Sequence, residues 1–455
     1  MKKFFLKSSL ALILSVCVIG VVHTNSEAKS NAAEAKWSME KDTVVSRKGV
    51  KYHVYFSKDK NECWVHKVVV KSKRVTKLNF PQKIKNKKLT TIGAMSELYP
   101  DDNAEHQIDA CVNIMGEVFE PWHETGADAK TNILSVKIPD TVKVLGDSSL
   151  AGLKKCKRVQ LSSNITYIGY YEFYDDRALE QIEVAGKCKE IRKNAFMNCR
   201  ALKTIKLGKK VSTVDSKAFY KCYKLSRVTV HKKNNNLFSK KGMLLTKNKK
   251  ELLCASRGMK KIKIPKGVTT IANEVFCDSK IKEIWIPASL KKVGAQAFHL
   301  TNIKKWNIAK GSAFVKTKTC VYSKESGELI YLFYSPSAVK LPEKVTRIGL
   351  ALSLERGKVN KTVVLPKKLQ EVEISDDNQN FLNMCSNLYF SSSEPPKVIS
   401  NEYSLGYSFI PYIPVNSEEN YLNWLEKNFY FNREKEDYRT FSTFKPEKAI
   451  NRPAK

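Results

Sequence analysis

Apolar residues recur along the chain at an interval of about 23 residues. The recurring phrase is a Leu-x-x-Ile-x-Ile run, a turn, a valine, then Ile-Gly and an aromatic residue. The last apolar position of the run recurs ten times, with steps of 22 to 24 residues and two longer steps of 34 and 33 residues. A repeat of this length predicts one solenoid rather than several globular domains. The ten positions are Ile138, Leu161, Val184, Leu207, Val230, Ile264, Ile286, Ile308, Leu341 and Leu365.

The repeat over residues 202–222 indicates how one coil folds. Leu202, Ile205 and Leu207 are apolar with polar residues between them, which is typical of a short half-buried strand. Gly208 begins a turn, and Cys222 ends the coil on a further apolar position. Because one coil cannot bury its own apolar edge, we expect successive coils to stack and to align their strands into a parallel sheet.

The two long steps each equal an ordinary repeat plus 11 residues. They fall where Asn234-Asn235-Asn236 and Lys310-Gly311-Ser312 open segments rich in Lys, Gly and Ser. The spacing therefore predicts two insertions within an otherwise regular array.

Two phrases of the repeat resemble those of a known family. Residues 138–146 match the Ile-Pro-x-x-Val-x-x-Ile-Gly phrase of BspA-like leucine-rich repeats, and residues 195–202 match the Ala-Phe-x-x-Cys-x-x-Leu phrase that follows it. The resemblance covers most of residues 75–415. It implies a leucine-rich repeat solenoid: a right-handed β/α-type superhelix with a concave parallel β-sheet and a mostly irregular convex side. It also implies a secreted or cell-surface bacterial protein, and it brings no catalytic residues.

The array divides the rest of the chain into terminal segments and one interruption. Residues 1–28 read as a signal peptide, with a basic start, an apolar run over 10–22 and a small-residue cleavage site. An uncleaved membrane anchor is the alternative, but the run is shorter than the roughly 20 residues of a spanning helix. The predicted segments after it are a cap with a first degenerate repeat (29–93), an acidic insert (94–133), the repeats with two 11-residue insertions (134–387), a last repeat with a C-terminal cap (388–431) and a flexible basic tail (432–455).

The predicted ends of the solenoid differ from its repeats. Residues 44–78 are consistent with a hairpin-like cap, and apolar residues with helical spacing after Ser417 predict a closing helix. Within the acidic insert, His106, Cys111 and His123 could be grouped with carboxylates as a metal site. Their spacing fits no metal motif, so a solvated acidic loop is the favoured interpretation and no cofactor is predicted.

Charge and cysteine content add to this picture. The chain has 455 residues, 80 Lys+Arg against 45 Asp+Glu and a formal net charge of +35, which favours anionic partners. Ten of the 11 cysteines follow the predicted signal peptide, and so many cysteines in an exported chain suggest disulfides. Repeat phase favours buried free thiols instead, because Cys156, Cys188, Cys199 and Cys222 take positions that apolar residues occupy in other repeats. A bridge between Cys199 and Cys222 in successive coils stays open.

Two columns of residues between the buried strand positions are expected to point outward from the sheet. Their twenty positions hold eight basic and two acidic residues, which is richer in positive charge than the chain average. A solvated lysine-rich surface and a ligand-binding face are both consistent with this count. The predicted ligand-binding residues are Lys137, Arg158, Lys206, Arg227, Lys261, Lys263, Trp285, Lys305 and Lys340.

The sequence predicts a binding protein rather than an enzyme, because no nucleophile, metal or phosphate-binding motif occurs. We expect adhesion or ligand recognition through a basic concave sheet by a secreted or cell-surface protein. The expected partner is an acidic glycan, an anionic wall polymer or an acidic protein surface, with no integral membrane span; nucleic acid is disfavoured by export and the absence of a nucleic-acid fold motif. The alternative is a structural wall-associated protein held by charge to anionic polymers of the producing cell.

Overall fold

A computed structural model describes residues 42–93 (without 59, 71 and 73), 132–357 (without 185), 360–374, 385–400, 409–429 and 438–441. These residues form a parallel β-solenoid of about 13 turns. Most coils contribute a strand to each of two parallel ladders, named ladder A and ladder B. The predicted signal peptide, nearly all of the acidic insert with His106, Cys111 and His123, and most of the predicted tail lie outside the described residues.

Ladder A contains the strands on which the repeat was recognised. Its pairing follows the predicted phase: Ile182 of one coil lies opposite Ile205 of the next, and Ile205 lies opposite Val228. Seven of the ten phased positions are buried, whereas Leu161, Val230 and Ile308 are half-buried. The strands of ladder A are β4 (Lys77–Asn79), β7 (Ser135–Lys137), β9 (Arg158–Gln160), β11 (Gln181–Val184), β13 (Thr204–Leu207), β15 (Arg227–Val230), β19 (Lys261–Lys263), β21 (Glu283–Ile286), β23 (Lys305–Ile308), β27 (Val339–Lys340), β30 (Asn360–Val364), β32 (Cys385–Tyr389), β34 (Ile410–Pro414) and β35 (Arg439–Phe441).

Seven of the eleven strands of ladder B are only two residues long, and several of its strands carry the Ile-Gly phrase of the repeat. Ile168 lies opposite Leu145 on one side and Ile191 on the other, and all three are fully buried. The described repeats contain no α-helix. The strands of ladder B are β6 (Lys87–Ile92), β8 (Val144–Leu145), β10 (Tyr167–Ile168), β12 (Glu190–Ile191), β14 (Thr213–Val214), β18 (Glu251–Ala255), β20 (Thr270–Ile271), β22 (Lys292–Val293), β28 (Arg347–Ile348), β31 (Glu371–Ile374) and β33 (Lys397–Ser400).

Stacked phenylalanines fill the interior beside the Ala-Phe turns of several coils. Phe196 lies between Phe173 and Phe219, with ring centroids 4.9 and 5.6 Å apart, and all three rings are fully buried. The backbone amide of Phe173 donates to the carbonyl of Ala195, and that of Phe196 to the carbonyl of Ala218. Offset stacking and regular hydrogen bonding therefore hold this corner of the coils in the same 23-residue register.

The two predicted insertions are antiparallel β-meanders rather than surface loops. The first runs from β16 (Leu237–Lys240) through β17 (Met243–Thr246) into β18. The second runs from β24 (Phe314–Lys316) through β25 (Cys320–Ser323) into β26 (Leu329–Leu332), which pairs with β29 (Ser353–Leu354). Each meander is buried on both faces. Leu244 packs in the core of the preceding coils, whereas its neighbours Met243 and Leu245 pack in the core of the following coils.

Both ends of the solenoid are covered by elements outside the regular repeats. At the N-terminal end, β1 (Thr43–Arg47), β2 (Val50–Phe56) and β3 (Glu62–Val70) form an antiparallel meander, and β3 continues ladder B; β5 (Lys83–Ile84) pairs with β6. At the other end, α1 (Glu418–Asn428) is the one α-helix of the described residues and buries Tyr421, Trp424 and Leu425. Residues 439–441, within the segment predicted as a flexible tail, instead pair with β34 as an edge strand.

Candidate ligand-binding face

The outward face of ladder A brings the predicted columns into register, and we call it the basic face. In β11, Ile182 and Val184 are buried whereas Gln181 and Glu183 are exposed, which is the alternation of a half-buried strand. Glu183 lies opposite Lys206 in β13. Residues two positions apart along a strand therefore form columns that run from coil to coil.

A groove opens over β4 to β13 at the N-terminal end of the basic face. It has a volume of about 760 Å³ and brings together the predicted Lys137, Arg158 and Lys206. Lys77 also lines it, opposite Ser135 in the same register, but this lysine was not predicted. The sequence could have predicted this position, because Leu78 begins the degenerate first repeat and Lys77 precedes it in the phase of the second column. We call Lys77, Lys137, Arg158 and Lys206, with the strands that carry them, the N-terminal groove.

The cations of the N-terminal groove differ in their pairing. Lys206 lies 3.3 Å from the Glu183 carboxylate, and both side chains are exposed. Within the described part of the chain, Lys77, Lys137 and Arg158 form no ion pair. Arg227 on β15 lies opposite Thr204 of β13, in the same column as Arg158, and its side chain is exposed. Three cations of one groove are thus available to an anionic ligand.

A second group lies on β19, β21 and β23, where Glu283 is surrounded by cations. Its carboxylate lies 3.2 Å from the Lys261 ammonium and 3.1 Å from that of Lys305, on the two neighbouring strands. The hydrogen bond from Lys305 holds the pKa of Glu283 below its ordinary value. Both lysines are about 70% exposed, at 72% and 67%, while Glu283 is buried beneath them, so the outer surface here is cationic.

The neighbouring column of the same three strands contains Trp285. Trp285 lies opposite Lys263 on one side and opposite Asn307 on the other. Trp285 is half-buried. We call Lys261, Lys263, Glu283, Trp285, Lys305 and Asn307 together the tryptophan site.

A third column, which the sequence analysis missed, borders these two. The backbone amide of Lys282 donates to the carbonyl of Lys260, and that of Lys304 to the carbonyl of Lys282, so the three residues are in register. All three side chains are exposed. Lys157 and Lys203 hold the same position in earlier coils, and Lys203 pairs with Glu180 at 3.0 Å. All of these lysines lie one residue before a position of the second predicted column, so the sequence repeat contained the signal for this third column.

The basic face is not continuous over the predicted length. The first meander separates β15 from β19, and the second separates β23 from β27. Lys340 therefore lies apart from the other predicted residues; its neighbour in the column, Val364, is buried. The structure brings Lys137, Arg158, Lys206 and Arg227 together in one block, and Lys261, Lys263, Trp285 and Lys305 in another.

Buried cysteines pack in the interior rather than at this face. The nine cysteines of the described residues are all buried, and none forms a disulfide. The thiols of Cys199 and Cys222 donate to the carbonyls of Phe173 and Phe196, at 3.0 and 2.9 Å. The predicted apolar role of the cysteines is confirmed by their burial.

Other chemistry is sparse in the described ranges. No three His, Cys, Asp or Glu side chains of these residues are arranged to hold a metal ion. The single described helix is too short and too polar to cross a membrane.

Solved structures of bacterial repeat proteins resemble the chain at low sequence identity. The pneumococcal vaccine antigen PcpA is 17% identical, with 88% of this chain and 99% of that chain covered and a TM-score of 0.45. A leucine-rich repeat protein from Eubacterium ventriosum is 16% identical, with 82% and 86% covered and a TM-score of 0.40. A leucine-rich cell surface protein from Faecalibacterium prausnitzii is 16% identical, with 77% and 96% covered and a TM-score of 0.37.

Comparison with protein families gives a direct assignment. No curated protein sequence matches the chain. The model of the BspA type leucine rich repeat region matches in six copies over residues 126–242 and 246–388, which is more than half of the chain. This chain therefore belongs to the BspA-type leucine-rich repeat family.

Proposed function

We propose that the protein is an exported binding protein that recognises an anionic polymer or an acidic protein surface through the basic face. The observation that carries the proposal is the N-terminal groove, where Lys77, Lys137 and Arg158 share one open surface without ion pairs among the described residues. Groups of like charge on a low-dielectric surface raise the local concentration of oppositely charged ligands. The tryptophan site adds a large aromatic side chain, of the kind that binding surfaces enrich.

The proposal also includes export of the protein and a role in binding rather than in catalysis. Residues 1–28 have the pattern of a secretory signal peptide. A repeat array that presents one long regular face suits extended ligands. The chemistry of the basic face is that of binding, because its cations and indole supply hydrogen bonds and charge but no nucleophile with a base.

Cosedimentation of the exported chain, residues 29–455, with washed bacterial cell walls and with immobilised sulfated glycan across a salt series tests the proposal. We expect binding at low salt that falls steeply as salt rises, because exposed charges are screened. The triple variant Lys77→Gln, Lys137→Gln and Arg158→Gln should bind about tenfold more weakly or worse.

A matched control removes as much charge from another surface. Lys240, Lys241 and Lys250 are exposed at turns of the first meander, outside ladder A. The triple variant with glutamine at these positions should bind like the wild type. Equal losses in both variants would indicate adhesion by net charge alone, which is the behaviour of a wall-associated structural protein. No binding to either polymer at low salt would refute the proposal.

A further inference from the structure

We propose that the tryptophan site binds a uronic-acid sugar, whose ring stacks on Trp285 and whose carboxylate pairs with Lys263. The inference rests on the proposed function and names a ligand class and a subsite for it. The N-terminal groove supplies charge without an aromatic side chain, whereas the tryptophan site combines an aromatic surface, a cation and an amide on three adjacent strands.

The tryptophan site is a grid of two columns on three strands. One column is Lys261, Glu283 and Lys305, and the other is Lys263, Trp285 and Asn307, each in direct cross-strand register. Neighbouring strands lie about 4.8 Å apart, and outward residues of one strand lie about 7 Å apart. The grid is therefore about as large as one or two sugar rings.

Glu283 organises the cations of this grid but is not available to a ligand. Its two carboxylate oxygens accept from Lys261 and Lys305, and Asn307 Nδ2 lies 3.2 Å from Oε1. Only 8% of the residue is exposed. A ligand therefore meets the ammonium groups above Glu283, and does not meet a competing carboxylate.

Asn307 presents its amide oxygen as an acceptor. Its Nδ2 donates to Glu283 Oε1 at 3.2 Å and to the carbonyl of Ile284 at 3.3 Å, and these two acceptors fix the orientation of the amide. The amide oxygen of Asn307 can then accept from a sugar hydroxyl, while the indole N–H of Trp285 can donate to one. Lys263 forms no ion pair among the described residues, so its ammonium can bind a carboxylate.

The pattern of aromatic residues favours a sugar over a single-stranded nucleic acid. Proteins that bind single strands stack successive bases on several aromatic side chains. In the described strands of ladder A from β4 to β23, Trp285 is the one aromatic residue on the outward face. One aromatic side chain beside a cation and an amide fits one acidic ring, and does not fit a row of bases.

Titration with hyaluronan hexasaccharide, in which uronic acid and an uncharged amino sugar alternate, tests this inference. We expect saturable binding that changes the tryptophan fluorescence, and no such change in Trp285→Phe. Trp285→Ala should weaken binding about tenfold, and Lys263→Gln should weaken it to a similar degree. Chitohexaose, which carries no carboxylate, should bind weakly and equally to wild type and Lys263→Gln.

The outcomes separate this inference from the proposed function. Unchanged hexasaccharide affinity in folded Trp285→Ala, or no binding of the hexasaccharide while sulfated glycan still binds in a salt-dependent manner, would overturn the uronic-acid site and leave the proposed function intact. Quenching of Trp285 by a single-stranded oligonucleotide but not by the hexasaccharide would also overturn it. A matching circular dichroism spectrum and melting temperature show that each variant is folded.

Discussion

At the scale of single residues, position within the repeat decides side-chain chemistry. Cys188 takes the place that Val142 and Val211 occupy in other coils, and all three are buried. Burial raises the pKa of Cys188 to about 12, so its thiol stays protonated and unreactive at neutral pH. The sequence was sufficient for this conclusion, because a residue in phase with apolar residues shares their surroundings.

His299 is a buried titratable group whose effect on stability can be predicted. Burial, reinforced by Lys217, lowers the pKa of His299 to about 4 from an ordinary value of about 6.5. Between these two pH values the unfolded chain binds a proton that the folded chain excludes. As the pH falls from about 6.5 to about 4, the buried imidazole therefore lowers the free energy of unfolding by roughly 3 kcal/mol in total.

His299→Met tests this effect because methionine removes the titratable ring and keeps an apolar volume. Relative to the variant, the wild type should lose roughly 3 kcal/mol of unfolding free energy between pH 7 and pH 4. Urea denaturation of both proteins at half-unit pH steps measures the difference. A difference that does not change with pH would show that the folded protein protonates His299 as readily as the unfolded chain does.

At the scale of elements, the spacing of the repeat predicted where the insertions lie but not what they form. Val230 and Ile308, the last phased positions before each insertion, gave the location. In β17, Met243, Leu244 and Leu245 are consecutive buried residues, so the strand shows no alternation of apolar and polar residues. Such a run does not show whether a side chain enters the core of the preceding coils or that of the following coils. The burial of both faces of β17 becomes evident only in the stacked structure.

Substituting alanine for two glycines at the insertions distinguishes the effect of backbone strain on stability from the effect of steric crowding. Gly242 (φ +73°) and Gly311 (φ +79°) both occupy the left-handed region. A Cβ at Gly242 would lie 2.8 Å from Ser256 Oγ and 2.9 Å from Met259 Sδ, whereas a Cβ at Gly311 would meet no atom within 4 Å. Gly311→Ala should lower the free energy of unfolding by about 1 kcal/mol and Gly242→Ala by about 3 kcal/mol.

Thermal and urea denaturation of these two variants provide the comparison. Both carry the same left-handed strain, so the difference between them reports the crowding at the turn of the first meander. Equal destabilisation would mean that the contacts around Gly242 relax without cost, and that the meander is not held rigidly between the coils.

At the scale of the whole molecule, the meanders divide both the core and the basic face. The buried side chains form three clusters, and the strands of each meander contribute to the clusters on both of its sides. The predicted columns were correct within each block because strand register follows the repeat. Their division was not predictable, since it depends on where the inserted strands enter the stack. The pairing of Glu283 with Lys261 and Lys305 likewise depends on contacts between coils.

The separation of the N-terminal groove from the tryptophan site predicts a dependence on ligand length. Seven steps of ladder A separate Lys137 in β7 from Lys305 in β23, so at about 4.8 Å a step the face extends roughly 35 Å between them. A polymer that covers this span can bind both sites at once, and the second contact then benefits from a high effective concentration. Short oligosaccharides can occupy only one site at a time.

Calorimetric titration with a size series of uronic-acid oligosaccharides measures this dependence. We expect affinity to rise by at least tenfold once the ligand exceeds roughly 35 Å, beyond the gradual increase with length. The triple variant Lys77→Gln, Lys137→Gln and Arg158→Gln should lose that step while retaining the affinity of short ligands, because the tryptophan site is intact. A step of the same size in the variant would show that the two blocks act independently, and that a bound polymer does not bridge the first meander.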